Sequence, residues 1–401
     1  MEERIRARYW IETALPPERA AEVMAGEQST GTFTRVPGET DELRERHGAR
    51  VESVAPAGDT AYEVELSWPL SNLGPSLPNL LATVAGNLWE LKQFSGMRLL
   101  DLKLPAAFLE RYCGPQFGVA GTRRLCGVHH RPVIGTIIKP SVGLTPEETA
   151  GMVRKLAEGG IDFIKDDELQ CDGPHCPFAE RLAAVMRAIH EHAGRTGKMV
   201  MYAANITGEI DDMLRRHDQV VAAGGTCVMV SIHSIGLPGL VELRRHAAVP
   251  IHGHRNGWGL LGRSRDIAVS FVAWQKLWRL AGVDHLHCNG IANKFWEPDD
   301  SVIASARECL KPMFDVPGRG CEIMPVFSSG QTARQAPPTF AALGATDLIF
   351  AAGGGIMAHP GGAAAGVLSL RQAWEAAVRG IPLDTYAATH PELRAALDRF
   401  Q

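Results

Sequence analysis

From about Cys113 onward, short apolar runs alternate with amphipathic stretches, and this alternation most constrains what the chain can fold into. The runs are Val133–Pro140, Asp162–Glu168, Met199–Asn205, Cys227–Ile232, Pro250–Arg255, His285–Gly290, Glu322–Ser329 and Asp347–Gly355. Helical patterns stand between them at Pro146–Glu158, Phe178–Ala193, Ile210–Ala223, Val269–Ala281 and Pro338–Leu343. Strands that are apolar on both faces suit a parallel sheet covered by helices. Eight such units, roughly 23–37 residues apart, predict an α/β fold with a closed (β/α)8 TIM barrel over residues 116–401. Leu368–Phe400 reads as one or two helices packed on it. Residues 1–115 mix strands (Arg6–Glu12, Arg50–Leu66) with helices at Pro17–Ala25 and near Asn79–Ala85. They predict a smaller α+β domain, ferredoxin-like in character.

Catalytic groups of such a barrel gather at the C-terminal ends of its strands. There the sequence places Ile138-Lys139-Pro140-Ser141, Lys165-Asp-Asp-Glu168, Asn205, His252-Gly-His254-Arg255, His285-Leu-His287, Ser328-Ser-Gly330 and Gly353-Gly-Gly355. Chance would not put polar residues at the same end of so many strands. Lys165 and Asp167 share one strand face, and Glu168 follows at the strand end. A neutral lysine amine can capture carbon dioxide as a carbamate and so supply oxygen to a hard cation. Magnesium prefers an octahedral oxygen shell that leaves room for water and substrate. A salt-bridged strand end is the competing reading of Lys165–Glu168. Gly353 and Gly354 make a plausible phosphate cradle, because glycine lets backbone N–H groups approach an anion. Arg255 and His287 are placed to clamp a second anion. His252, His285 and His287 also read as satisfied core histidines.

Composition narrows the partners. A formal charge of −4 gives no reason to expect a polyanion, so nucleic acid is not an expected partner. The opening Met-Glu-Glu-Arg-Ile-Arg lacks the apolar centre of a secretory signal, and no run of eighteen apolar residues predicts a membrane span. The expected location is the cytoplasm. The eight cysteines, among them Cys113, Cys126, Cys227, Cys288 and Cys309, read as reduced core thiols. Cys171-Asp-Gly-Pro-His175-Cys176 has zinc-ligand types but no second pair at finger spacing.

In chain order, these motifs resemble the RuBisCO large-chain superfamily over nearly the whole sequence. Gly135-Thr-Ile-Ile-Lys139-Pro resembles the segment of the proton-transfer lysine. Gly160-Ile-Asp-Phe-Ile-Lys165-Asp-Asp167-Glu168 resembles the carbamylated lysine with its two carboxylate magnesium ligands. His254-Arg255 is similar to the active-site histidine and phosphate-binding arginine, Asp284-His-Leu-His287 to the sixth-strand motif, and Lys294 to the loop-six lysine. Ser328-Ser-Gly330 and Gly353-Gly-Gly355 resemble phosphate and hydroxyl contacts, and His359-Pro-Gly361 the segment after them. Glu27-Gln-Ser-Thr-Gly31-Thr32-Phe33 and Ala85-Gly-Asn87-Leu resemble segments that cover a neighbouring subunit's barrel. The resemblance thus implies one magnesium ion per site, held by Lys165 carbamate, Asp167 and Glu168. It also implies a homodimer in which Glu27, Thr32 and Asn87 complete the partner's site.

Departures decide the subtype that the resemblance implies. Ser141 stands where a true carboxylase has a second lysine, and Trp258 where it has a histidine. The chain is also short for a carboxylase. These features fit a RuBisCO-like protein. The methionine-salvage enolase branch uses a lysine at the position of Asn87, so that reading lacks its base unless Lys139 or Lys294 takes over. An isomerase acting on methylthioribulose phosphate stays open through Lys139, as does a regulatory protein without turnover. The favoured branch acts on 3-oxo-isoapionate 4-phosphate, by decarboxylation or by transcarboxylation and hydrolysis. It needs a cradle for one phosphate, a metal for a β-keto acid, Lys139 as proton donor and Lys294 to close over the substrate. That preference rests on the resemblance.

Overall fold

Each barrel strand is only three to five residues long, and nearly every residue in it is buried, because side chains on one face meet helices and those on the other fill the barrel. A computed structural model describes residues 3–32 and 34–400, so Met1, Glu2 and Phe33 of the motifs above lie outside the described residues. In chain order the strands are β1 (Arg4–Thr13), β2 (Arg50–Pro56), β3 (Ala61–Pro69) and β4 (Phe94–Lys103). Then come β5 (Val133–Ile137), β6 (Phe163–Lys165), β7 (Met201–Asn205), β8 (Cys227–Ser231) and β9 (Ile251–His254). The last four are β10 (Ile267–Val269), β11 (His285–His287), β12 (Met324–Phe327) and β13 (Ile349–Ala351). Strands β5 to β9 and β11 to β13 close the parallel barrel in the order β11-β12-β13-β5-β6-β7-β8-β9. All eight coincide with the apolar runs of the sequence.

The chain divides into two compact units. One comprises residues 1–114, 257–281 and 312–321; the other holds the barrel, 115–256, 282–311 and 322–401. In the first, β4, β1, β3 and β2 pair antiparallel, and β10 adds to β4 in parallel. Strand β4 was not expected, because Ser95, Gly96, Arg98 and Asp101 interrupt its apolar pattern. The run Arg50–Leu66 is a hairpin of two strands rather than one. In the barrel unit, the helix Pro146–Glu158 begins on a capping box between Thr145 and Glu148. The C-terminal segment forms three helices, Gly362–Val378, Leu383–Ala387 and Pro391–Arg399, where one or two were expected. Pro382 and Pro391 explain the breaks, since proline starts a helix readily and cannot continue one. Cys113, expected in the core, is exposed, whereas Cys126, Cys227, Cys288 and Cys309 are buried and free. No described helix is long and apolar enough to cross a membrane.

Candidate active site at the barrel mouth

Alternation along a strand separates three consecutive acids after Lys165. Asp166 turns outward, where its carboxylate accepts from both Arg181 Nε and Nη2 at 3.3 Å, Tyr202 O–H at 2.5 Å and the Asn205 N–H at 2.9 Å. Asp167 turns to the mouth and accepts from Lys139 Nζ at 2.5 Å. Lys139 also donates to Ser141 Oγ at 2.8 Å, so the serine that replaces a second lysine becomes a partner of the first. Lys165 Nζ donates to the Asp166 carbonyl at 2.7 Å and lies 3.4 Å from Glu168 Oε2, which is also 3.4 Å from His254 Nε2. Asn205 pins the turn that carries both acids: its Nδ2 donates to the carbonyls of Asp167, Glu168 and Gln170 at 3.3, 3.4 and 3.1 Å.

Burial sets the charge states. It pulls the Lys165 amine below its ordinary value, opposed by the charges of Glu168 and Asp167. Burial also pulls His254 down to about 4, with Lys165 adding to the effect, so the imidazole is neutral near pH 7. For Glu168, burial pushes upward, but His254 and Lys165 hold it at about 2. Two carboxylates and an amine that burial shifts toward its neutral form are a donor set that fits a magnesium ion held through a lysine carbamate.

Beside this cluster, a histidine chain runs up the barrel. His252 Nε2 meets His287 Nε2 at 2.8 Å, and His287 Nδ1 meets Ser328 Oγ at 3.0 Å. Among the described residues, His252 Nδ1 has no partner. A bare ring nitrogen is tolerated more readily than an orphaned N–H, so the proton sits on His252 Nε2. His287 then donates from Nδ1 to Ser328, leaving the Ser328 hydroxyl to donate onward. His287 ring contact at 4.4 Å ties the chain to His254. His285 lies lower, against Thr122 Oγ1 at 2.8 Å, as a core histidine.

Strained backbone shapes the rim. Asn289 and Ser329 hold φ of 64° and 72°, and Ser329 Oγ donates to Asn289 Oδ1 at 3.0 Å. Gly330 (φ 86°) lies under Lys294, whose N–H donates to the Ser329 carbonyl at 3.2 Å and whose Nζ is 5.2 Å from the Phe295 ring. A Cβ on Gly353 would come 3.9 Å from Lys139 Cε, placing that glycine beside the lysine, while Gly354 borders open space. The sequence did not reveal Glu297. This buried carboxylate pairs with Arg255 Nη2 and accepts from Asn289 Nδ2 at 2.7 Å and Ser301 Oγ at 3.0 Å. Arg255 is therefore braced by an acid.

Glu27, Thr32 and Asn87 lie in the first unit. Asn87 Nδ2 is 3.5 Å from Glu27 Oε1, and Glu27 and Thr32 border a cavity of about 680 Å³ there. Trp258 packs on Phe271, with ring centroids 4.8 Å apart. In the 171–176 segment, the Cys171 thiol donates to the Thr207 carbonyl at 2.7 Å and His175 meets the Gly143 carbonyl at 2.8 Å. Among the described residues, His217, Asp218 and His246 bring three potential ligand atoms together. The Ala248 N–H donates to His217 Nε2 at 3.0 Å, which puts the His217 proton on Nδ1, facing Asp218 at 3.0 Å. That tautomer leaves no His217 lone pair for a metal.

A closed parallel barrel with lysines, acids and neutral histidines at its C-terminal mouth has the layout of a TIM-barrel enzyme. The comparisons give the family. Residues 118–400 match the ribulose bisphosphate carboxylase large chain, catalytic domain, and residues 4–108 match its N-terminal domain. A 3-oxo-isoapionate-4-phosphate transcarboxylase/hydrolase of Xanthobacter autotrophicus is 57% identical over 99% of both chains. A 3-oxo-isoapionate-4-phosphate decarboxylase of Rhizobium etli is 46% identical over 98% of this chain and 97% of its own. The crystal structure of a RuBisCO-like protein from Burkholderia fungorum superposes with a TM-score of 0.91 at 46% identity, over 99% of this chain and all of that one. The chain belongs to the RuBisCO large-chain family. Within it, the chain is a RuBisCO-like enzyme and not a true ribulose bisphosphate carboxylase.

Proposed function

We propose that this protein is a magnesium-dependent enzyme acting on 3-oxo-isoapionate 4-phosphate, by decarboxylation or by transcarboxylation followed by hydrolysis. The carrying observation is the convergence of Lys139 on Asp167, and of Lys165 and His254 on Glu168, at one end of the barrel. The names of the two relatives quoted above support the substrate.

Asp167, Glu168 and the carbamate of Lys165 would hold the magnesium ion, which supplies positive charge at the substrate's ketone oxygen. Ser328, Gly330, Gly353 and Gly354 offer hydroxyl and backbone N–H groups to the phosphate, with Arg255 and His287 as the further polar contacts. In the decarboxylation, the bond from carbon to carboxylate breaks and its electron pair becomes an enediolate. Lys139, whose amine already lies at the mouth, gives the proton that completes the product. His254 stays neutral beside Glu168 and orients it. Lys294 closes over the substrate and excludes water. By family resemblance, Glu27, Thr32 and Asn87 of one protomer complete the site of its partner in a homodimer. The domain boundary near residue 115 belongs to the same proposal.

Mass spectrometry of products, with magnesium and bicarbonate present, tests this. A four-carbon ketose phosphate means decarboxylation; phosphoglycerate with glycolate means transcarboxylation and hydrolysis. Lys165→Ala should abolish either. Turnover of methylthioribulose phosphate or of the methionine-salvage diketone alone would replace the proposed substrate.

A further inference from the structure

The proposed chemistry gives Glu297 no part, yet three elements of the barrel unit converge on its carboxylate. One oxygen pairs with Arg255 Nη2, just past β9, and accepts from Asn289 Nδ2, just past β11, at 2.7 Å. The other accepts from Ser301 Oγ, on the helix Asp299–Cys309, at 3.0 Å. Asn293 donates to the backbone carbonyls of Gly290 and Glu297 at 3.0 Å each, which pins both ends of the loop that carries Lys294. The side chains of Arg255 and Glu297 are only 5% and 1% exposed. Burying such a pair costs in lost hydration much of what the two charges return, so stability alone is a weak reason to keep one.

The surroundings give a better reason. Through Ser329 Oγ, which donates to Asn289 Oδ1 at 3.0 Å, the network reaches the rim after β12. Burial does most to push His287 below its ordinary value, and the charges of His254, His252, Lys165 and Arg255 add to it, so the guanidinium lies near the mouth histidines. Arg255 follows β9 and Gly353 follows β13, and β11 and β12 stand between them in the barrel, which sets the two apart across the mouth. Arg255 is thus placed to clamp a second anionic group, as the sequence led one to expect. Glu297 already fills that place. Carboxylate and phosphate oxygens compete for the same forked N–H groups of a guanidinium.

We propose that Glu297 is a specificity-determining residue: its carboxylate stands in for a second anionic end group, so the mouth takes a ligand with one phosphate and rejects one phosphorylated at both ends. The inference deepens the function proposed above and rests on the same reading of the mouth. The single phosphate goes to the backbone of Gly353 and Gly354. The Arg255–Glu297 pair meets the other end of the substrate with no net charge, offers a hydroxyl a polar contact, and leaves no cation to balance a second phosphate.

Calorimetric titration of the full-length protein, with magnesium and bicarbonate, compares ribitol 5-phosphate with ribitol 1,5-bisphosphate, which lack a ketone and so do not react. The wild-type protein should bind the bisphosphate no more than about threefold tighter than the monophosphate. Glu297→Ala removes the carboxylate and leaves room, so it should tighten the bisphosphate about tenfold to a hundredfold, the worth of a hydrogen bond to a charged group. The monophosphate should change by less than about threefold. A merely loosened loop would weaken both probes together and would not raise their ratio. Arg255→Gln added to Glu297→Ala should abolish the gain. Glu297→Gln keeps the shape, serves where the alanine variant does not fold, and should give a smaller gain in the same direction. The wild-type comparison needs no variant: a bisphosphate bound about tenfold tighter there would overturn the inference. So would an unchanged ratio in whichever variant folds, or a gain that survives the loss of Arg255. If 3-oxo-isoapionate 4-phosphate turns over while the ratio stays fixed, only this inference falls. If the ratio rises without that turnover, the substrate assignment falls and the role of Glu297 stands.

Discussion

At the scale of single residues, the site is built by side chains that divide one strand end between two environments. Lys139 is the proton donor of the proposed chemistry, so Lys139→Met should lower kcat by about 10²–10⁴ while leaving substrate binding largely intact. Steady-state kinetics beside a binding titration checks that split. Asp166 carries no chemistry, yet among the described residues it is the carboxylate paired with buried Arg181. Asp166→Asn should therefore destabilise the fold by about 3–5 kcal/mol in urea titration, because it leaves a buried guanidinium without its counter-charge. The inward set Lys165, Asp167 and Glu168 was legible in sequence, since a two-residue period sorts neighbouring side chains by face. Glu297 was not. It reaches Arg255 across 42 residues of chain, and no local pattern announces a pairing made only by tertiary folding.

At the scale of elements, the decisive feature is the turn after β6, held by one amide from β7. Asn205→Ala removes three hydrogen bonds to the carbonyls beside both acids. Magnesium affinity should fall about 10–100-fold, as for other residues that orient ligands without touching the ion, and calorimetric titration of magnesium reads it. Gly355 sits where a Cβ would lie 2.4 Å from the Gln331 carbonyl. Gly355→Ala should cost about 1–3 kcal/mol by overpacking and shift the strand-eight rim, which thermal unfolding and a change in KM would report. Strand positions were readable because a barrel strand is buried on both faces. The helix Ile232–His246 was missed because Gly236 breaks its dihedrals and Pro238 stands inside it.

At the scale of the molecule, the barrel interior keeps histidines neutral. Burial holds His285 at about 3, and pushes His252 and His287 well below their ordinary value. An unfolded histidine titrates near pH ~6.5, so below that pH the unfolded chain takes up protons that the folded chain refuses. Stability should fall as pH drops from about 6.5 toward 3, by up to about 1.4 kcal/mol per pH unit for His285 alone. Guanidinium unfolding of metal-free protein at pH 7 and pH 5 tests this: the midpoint should be lower at pH 5, and equal midpoints would contradict it. The test requires no substrate, so it stands apart from the proposed reaction.

The sequence by itself determined the barrel, the order of its eight strands and the end at which polar residues collect. Those properties follow from burial periodicity, which is local and repeats eight times. The tertiary structure alone decided which groups meet: Ser141 on Lys139, Asn205 under the acids and Glu297 on Arg255. Apart from the local Ser141–Lys139 pair, those contacts join residues far apart in the chain, whose partners are chosen by how strands close and helices pack.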